Sequence, residues 1–124
     1  MPYFGQSVRY SKTIKVDKAG KFEIELPNWS GTVAAVSING QEAGIIQAKP
    51  YVFTTGLNQG ENIIDIIVIG SLKNTLGPHH VTAPAGVGGR PANFITAPKI
   101  QPEGNSCSLI DYGLMKDFNV YALE

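Results

Sequence analysis

The adjacent histidines His79 and His80 follow Asn74 in the stretch Gly70–His80 and invite a metal reading. Neighbouring residues on an extended backbone point to opposite sides, and no nearby His, Cys or carboxylate completes a zinc shell. The pair is therefore poor chelating geometry. A histidine in a rigid polar loop can instead fix neighbouring backbone carbonyls or hydrogen-bond a hydroxylated ligand. Of these two readings, structural ordering is preferred.

The carboxylates supply little obvious chemistry. Hydrolysis of a glycosidic bond needs two facing carboxyl groups about 5 to 10 Å apart in a cleft, and the ten acidic residues offer no evident pair. Glu23 and Glu25 share one face of a strand whose other face is apolar, so they read as solvated surface. Asp65 interrupts a buried run, and a buried carboxylate needs partners; a turn or a lysine is the expected one. The segment Gly86–Arg90, GVGGR, looks like a phosphate cradle only superficially, because Pro91 follows and no helix N-terminus is at hand. Trp29 lies in a loop beside Ser30 and Gly31, where its ring is either a stacking platform for a sugar or a rim aromatic covering the end of the core. The rim role is preferred. Cys107 stands alone, which excludes an internal disulfide and a Cys-rich zinc site, and reads as a buried thiol.

Whole-chain properties narrow the partners. The chain has 124 residues, 43% of them apolar, enough for one domain with a real core. Ten basic and ten acidic side chains cancel, and no Lys/Arg cluster forms an electrostatic footprint, so neither a nucleic acid nor a membrane surface is expected as partner. No apolar run reaches the ~20 residues needed to span a bilayer. The opening residues, MPYFGQSVRY, lack the charged-then-apolar layout of a signal peptide.

The elements that must position these residues are strands. The run Ile63–Ile69 has six β-branched apolar residues in seven positions, which predicts a central strand buried on both faces. The loop behind it, Asn74 to His80, is then an ordered polar surface pinned to the core. Upstream, Val8, Tyr10, Ile14 and Val16 alternate with polar partners, and Asp17–Gly20 is a turn with Gly where a positive φ would be needed. Phe22, Ile24 and Leu26 alternate with Glu23 and Glu25, predicting a second strand that forms a hairpin with the first. Pro27 and Asn28 end it. Val33–Ile38 and Glu42–Gln47 flank Asn39-Gly40, a strong two-residue hairpin signal. Tyr51 and Phe53 mark a further short strand. Leu76 to Gly104 holds five glycines and five prolines in 29 residues, so it reads as loop. Ser108–Met115 and Phe118–Leu123 supply two more strands. Eight or nine strands without a convincing helix predict a single all-β domain over residues 1–124, an antiparallel β-sandwich of jelly-roll type.

The series Val36-Ser37-Ile38-Asn39-Gly40, then Gly44, Pro50-Tyr51, Leu57, Gly60-Glu61-Asn62 and the hydrophobic strand resembles the sugar-binding β-sandwich of family 2 glycoside hydrolases, a galactose-binding-domain-like jelly roll. The continuation Gly70-Ser71-Leu72-Lys73-Asn74 with Leu76-Gly77-Pro78-His79-His80 is similar, more narrowly, to the C-terminal sandwich of large bacterial hydrolases of the α-L-rhamnosidase type (family 106-like). The resemblance covers Val33 to His80 well and the flanking strands loosely. In such enzymes the catalytic acids sit on a separate barrel domain, which this chain lacks.

The resemblance therefore implies a non-catalytic accessory domain, a fragment of a longer polypeptide, with carbohydrate and the parent's catalytic domain as partners. It also implies a secreted or periplasmic parent. The alternative is an independent carbohydrate-binding module using Trp29, Tyr51, Asn74, His79, His80 or Arg90; a small enzyme in its own right is the third reading. No cofactor is expected, and the sequence specifies neither the sugar nor a structural calcium ion.

Overall fold

The computed structural model describes residues 6–77 and 109–124, so His79, His80, Arg90, Cys107 and nearly all of the Gly/Pro-rich stretch lie outside the described residues. The chain groups into two compact units, Met1–Gln6 with Ser71–Asp111, and Ser7–Gly70 with Tyr112–Glu124. The second unit is an antiparallel β-sandwich. Its strands are β1 (Val8–Val16), β2 (Gly20–Glu25), β3 (Trp29–Ser30), β4 (Val33–Ile38), β5 (Gln41–Ile46), β6 (Val52–Leu57), β7 (Gly60–Ile69), β8 (Gly113–Leu114) and β9 (Asn119–Ala122). One sheet runs β1-β7-β4-β5, the other β6-β2-β9, and β3 pairs with β8 in a short ribbon. The expected all-β sandwich is the fold found.

Strand β7 is central, between β1 and β4. Along it Asn62, Ile64, Ile66 and Val68 point inward and are fully buried. Each such apolar side chain contributes roughly 1.5 to 3 kcal/mol relative to leaving it in water. The expectation of burial on both faces fails, because Ile63 is 47% and Ile69 is 42% exposed on the outer face. β-Branched residues favour a strand on either face, so the run reported strand type but not a second covering layer. Asp65, on that outer face, is buried and accepts a hydrogen bond from the Ser11 hydroxyl directly across the β1–β7 ladder. Its partner is a serine on the adjacent strand instead of the expected turn or lysine.

The expected β1–β2 hairpin is also replaced. β1 pairs along its whole length with β7, from Val8 opposite Val68 to Val16 opposite Gly60. The Asp17–Ala19 link instead carries the chain across to the facing sheet, where β2 lies between β6 and β9. Gly20 starts β2 without a positive φ. Both arrangements bury the same alternate residues, so alternation does not distinguish a hairpin from a step across the sandwich. The Asn39-Gly40 hairpin does form, with φ of 51° and 81° at its two turn residues and Ile38 opposite Gln41. These positive values are those of a type I′ turn, matched to the strand twist.

The inner faces meet in one core that joins Val16, Ala34, Val36, Ile46, Ile64, Ile66 and Val68 to Ile24, Leu26, Leu57 and Phe118. Lys12 secures the C-terminal part of this core. Its ammonium donates to the Phe118 carbonyl at 2.7 Å and to Asp117 at 2.7 Å, and sits 4.4 Å from the Phe118 ring centroid. Asp117 is largely exposed, so the ion pair itself contributes little; the carbonyl contact fixes the segment that buries Phe118. The strand expected over Ser108–Met115 is reduced to Gly113–Leu114 among the described residues. Trp29, expected in a loop, pairs with Leu114.

Within the first unit the described residues contain a single-turn helix, α1 (Lys73–Leu76), where the sequence suggested loop. One turn lies below the length at which periodicity is readable.

Across the sandwich, β5 approaches β6 through Gly44, where an added Cβ would lie 2.5 Å from Cε2 of Phe53. Gly44→Ala is expected to destabilise the protein by about 1 to 3 kcal/mol through overpacking. Urea unfolding followed by tryptophan fluorescence measures this, and a midpoint equal to wild type would show that the two edges are not in tight contact.

Candidate functional site

A connected network of side-chain hydrogen bonds lies where the β4–β5 turn meets the β6–β7 turn. Asn62 opens the inner face of β7 and is fully buried, so its carboxamide must be satisfied internally. Its Oδ1 accepts from Asn39 Nδ2 at 3.1 Å and from the Asn58 amide at 3.2 Å. Its Nδ2 donates to the carbonyls of Asn58 at 2.7 Å and Gly60 at 3.2 Å. Asn39 completes the clamp. Its Oδ1 accepts from the Ile63 amide at 2.8 Å, and its own amide donates to the Ile63 carbonyl at 2.8 Å.

Beside this clamp opens a polar trough of about 410 Å³, walled by the β4–β5 hairpin on one side and by β6 with its exit turn on the other. Gln41, Glu42, Thr55 and Asn58 line it. The β4–β5 register shifts between Val36 and Ser37, so that Val36 faces Gly44, Ser37 faces Glu42, and Ala43 is the extra residue. A bulge of this kind re-aims the side chains next to it. The sequence showed the Asn-Gly turn but not this trough, because its walls belong to different sheets and the bulge has no signature in residue type.

The residues singled out from sequence are placed as follows. Trp29 and Tyr51 come together, with ring centroids 5.4 Å apart at 84°, edge to face. Both are half-buried and pack against the core cluster, and an added Cβ at Gly31 would lie 3.3 Å from the Trp29 ring. The Trp29 indole N–H is buried and has no hydrogen-bond partner among the described residues. Asn74, in the first unit, is buried; its Nδ2 donates to the Ile110 carbonyl at 2.7 Å and its Oδ1 accepts from the Ile110 amide at 2.8 Å. This two-bond grip imitates a strand pairing and commits the carboxamide to backbone. His79, His80 and Arg90 lie outside the described residues.

Electrostatics adds no proton-transfer centre among the described residues. Partial burial, helped by neighbouring Tyr10, pushes the Tyr112 hydroxyl up from its ordinary range. A hydrogen bond with Glu25 does the same, first among several causes, for the exposed Tyr121. Both shifts lead away from neutral pH, so neither phenol serves as a base there. Among the described residues no three His, Cys, Asp or Glu side chains group to hold a metal ion.

Removing the Asn62 carboxamide would strand the Asn58 and Gly60 carbonyls together with two donors. Asn62→Ala is expected to cost at least about 2 kcal/mol, and Asn39→Ala less, because Asn62 then keeps its bonds to Asn58 and Gly60. Denaturant titration of both variants gives the comparison; an Asn62→Ala protein as stable as wild type would show that the clamp holds nothing.

No family model matches the chain, and no curated protein does. Among solved structures, a rhamnosidase from Novosphingobium sp. PP1Y is similar, with a TM-score of 0.50 and 28% identity over 58% of this chain. The match spans 7% of that enzyme's chain. The chain thus shares a glycoside hydrolase-related fold with one small part of a much larger polypeptide.

Proposed function

We propose that this chain is a non-catalytic accessory domain of a multidomain glycoside hydrolase, a galactose-binding-domain-like sandwich that packs on its catalytic domain and contacts carbohydrate. The observation that carries the reading is the similarity to a rhamnosidase, 28% identical yet confined to 7% of that enzyme's chain. A segment of that proportion is the size of an appended module and leaves the bulk of the enzyme for its chemistry.

The outer face of the β1-β7-β4-β5 sheet supports the packing role. Ile63, Ile67 and Ile69 share that face of β7, with Val33 and Ala35 beside them on β4 and Ile45 on β5. Ile45 is 50% exposed, and Ile63 and Ile69 nearly as much. The Ser11–Asp65–Ser37 row sets Ile63 apart, and Ile67, Ile69, Val33, Ala35 and Ile45 form an apolar patch that suits burial against another domain of the same polypeptide.

Calorimetric titration of the 124-residue protein with rhamnose- and galactose-containing polysaccharides, run beside hydrolysis assays on aryl glycosides, tests the reading. Saturable binding without hydrolysis is expected. Turnover of any aryl glycoside by the purified protein would overturn the non-catalytic role, and absence of binding to every glycan would remove carbohydrate contact from it.

A further inference from the structure

We infer that the trough between the β4–β5 hairpin and β6 is a binding site for one neutral sugar residue of a glycan. The inference rests on the proposed accessory role and assigns it a place and a ligand class. Three observations carry it.

The walls are preorganised, because Asn39 and Asn58 are both tied to the buried Asn62. For Asn58 the tie is through its backbone, so a ligand would have to order side chains but not the chain that carries them, which lowers the cost of binding. Second, the groups facing the space are unspent. The side chains of Gln41, Glu42 and Asn58 make no hydrogen bond among the described residues, whereas the carboxamide of Asn39 is fully committed to Asn62 and Ile63. Two carboxamides offer both donors and acceptors, the Glu42 carboxylate accepts strongly, and Thr55 adds a hydroxyl whose own bond to the Gly56 carbonyl is long, at 3.5 Å. Adjacent sugar hydroxyls, each donor and acceptor, fit such a set, while Ile38 and Ala43 supply apolar wall for the C–H faces.

Third, the charge selects. Glu42 is the single acidic residue among those lining the trough, and no Lys or Arg is among them. A phosphate, sulfate or uronate would meet that carboxylate without a counter-charge, and a divalent cation would find one carboxylate where it needs several anionic oxygens. The volume, about 410 Å³, lies in the range of small-ligand sites. No aromatic ring lines the space, so affinity for a single sugar falls in the weak, millimolar class.

Amide chemical-shift mapping with methyl glycosides of neutral hexoses and 6-deoxyhexoses, and of a uronic acid, tests the site in the 124-residue protein. Saturable shifts confined to residues 38–43 and 54–58 are expected for the neutral sugars, with at least tenfold weaker binding of the uronate. Gln41→Ala/Asn58→Ala should lose binding tenfold or more at unchanged melting temperature, because neither side chain bonds within the described fold. Glu42→Gln should narrow the neutral-to-uronate preference. If polysaccharide binds but these amides stay still and the double variant binds as wild type, the trough is wrong and the accessory reading stands. If no neutral glycan binds anywhere, the trough and the carbohydrate part of that reading fall together. Equal binding of uronate and neutral sugar overturns the ligand class.

Discussion

A single buried carboxamide, that of Asn62, holds two turns in register at one end of the sandwich. It sits where β7 enters the core, shut off from the surface, and its two donors and its oxygen are each used by backbone or by Asn39. A buried polar group is costly when unpaired and directional when paired, so this position specifies geometry in a way that the surrounding isoleucines do not. The β4–β5 hairpin cannot tilt away from the β6–β7 turn without breaking it. Asn39 and Asn62 stand on neighbouring strands of one sheet, while Asn58 lies in the turn that enters that sheet from β6, so the same bonds fix that turn against the β4–β5 hairpin beside the trough.

The remainder of the sandwich follows from β7. Its inner residues complete the core, and Ile67 and Ile69 on its outer side, with Val33, Ala35 and Ile45 of β4 and β5, form an apolar patch that the sandwich itself does not cover. Such a strand carries more hydrophobic surface than one core requires. In the proposed setting the surplus is the contact with a neighbouring domain, and the polar trough at the edge remains for ligand. The packed aromatics Trp29 and Tyr51 lie against the core rim, and in the proposed setting contact with sugar is assigned to the short polar side chains of the trough.

The sequence elements that carry the resemblance to sugar-binding sandwiches acquire a physical meaning here. Asn39-Gly40 and Gly60-Glu61-Asn62 are far apart in the chain, yet Asn39 and Asn62 bond directly. Their pairing makes each turn depend on the other's asparagine. It also explains why they report architecture and not activity, since both amides are consumed by the scaffold.

The sequence by itself determined the strand type of most elements, the Asn-Gly turn and the sandwich class. The evidence lay in residue alternation, β-branching and turn chemistry, which are local properties. It placed β4 to the residue, and it marked Asp65 as needing a partner. Which strands pair, whether the outer face of β7 is covered, that Asp65 would meet Ser11, and where Gln41, Glu42, Thr55 and Asn58 converge were decided by tertiary structure alone. Alternation names the buried side of a strand but not the strand opposite it. A hairpin and a step between sheets hide the same residues, and a site assembled from two sheets and a bulge exists only once the layers have closed.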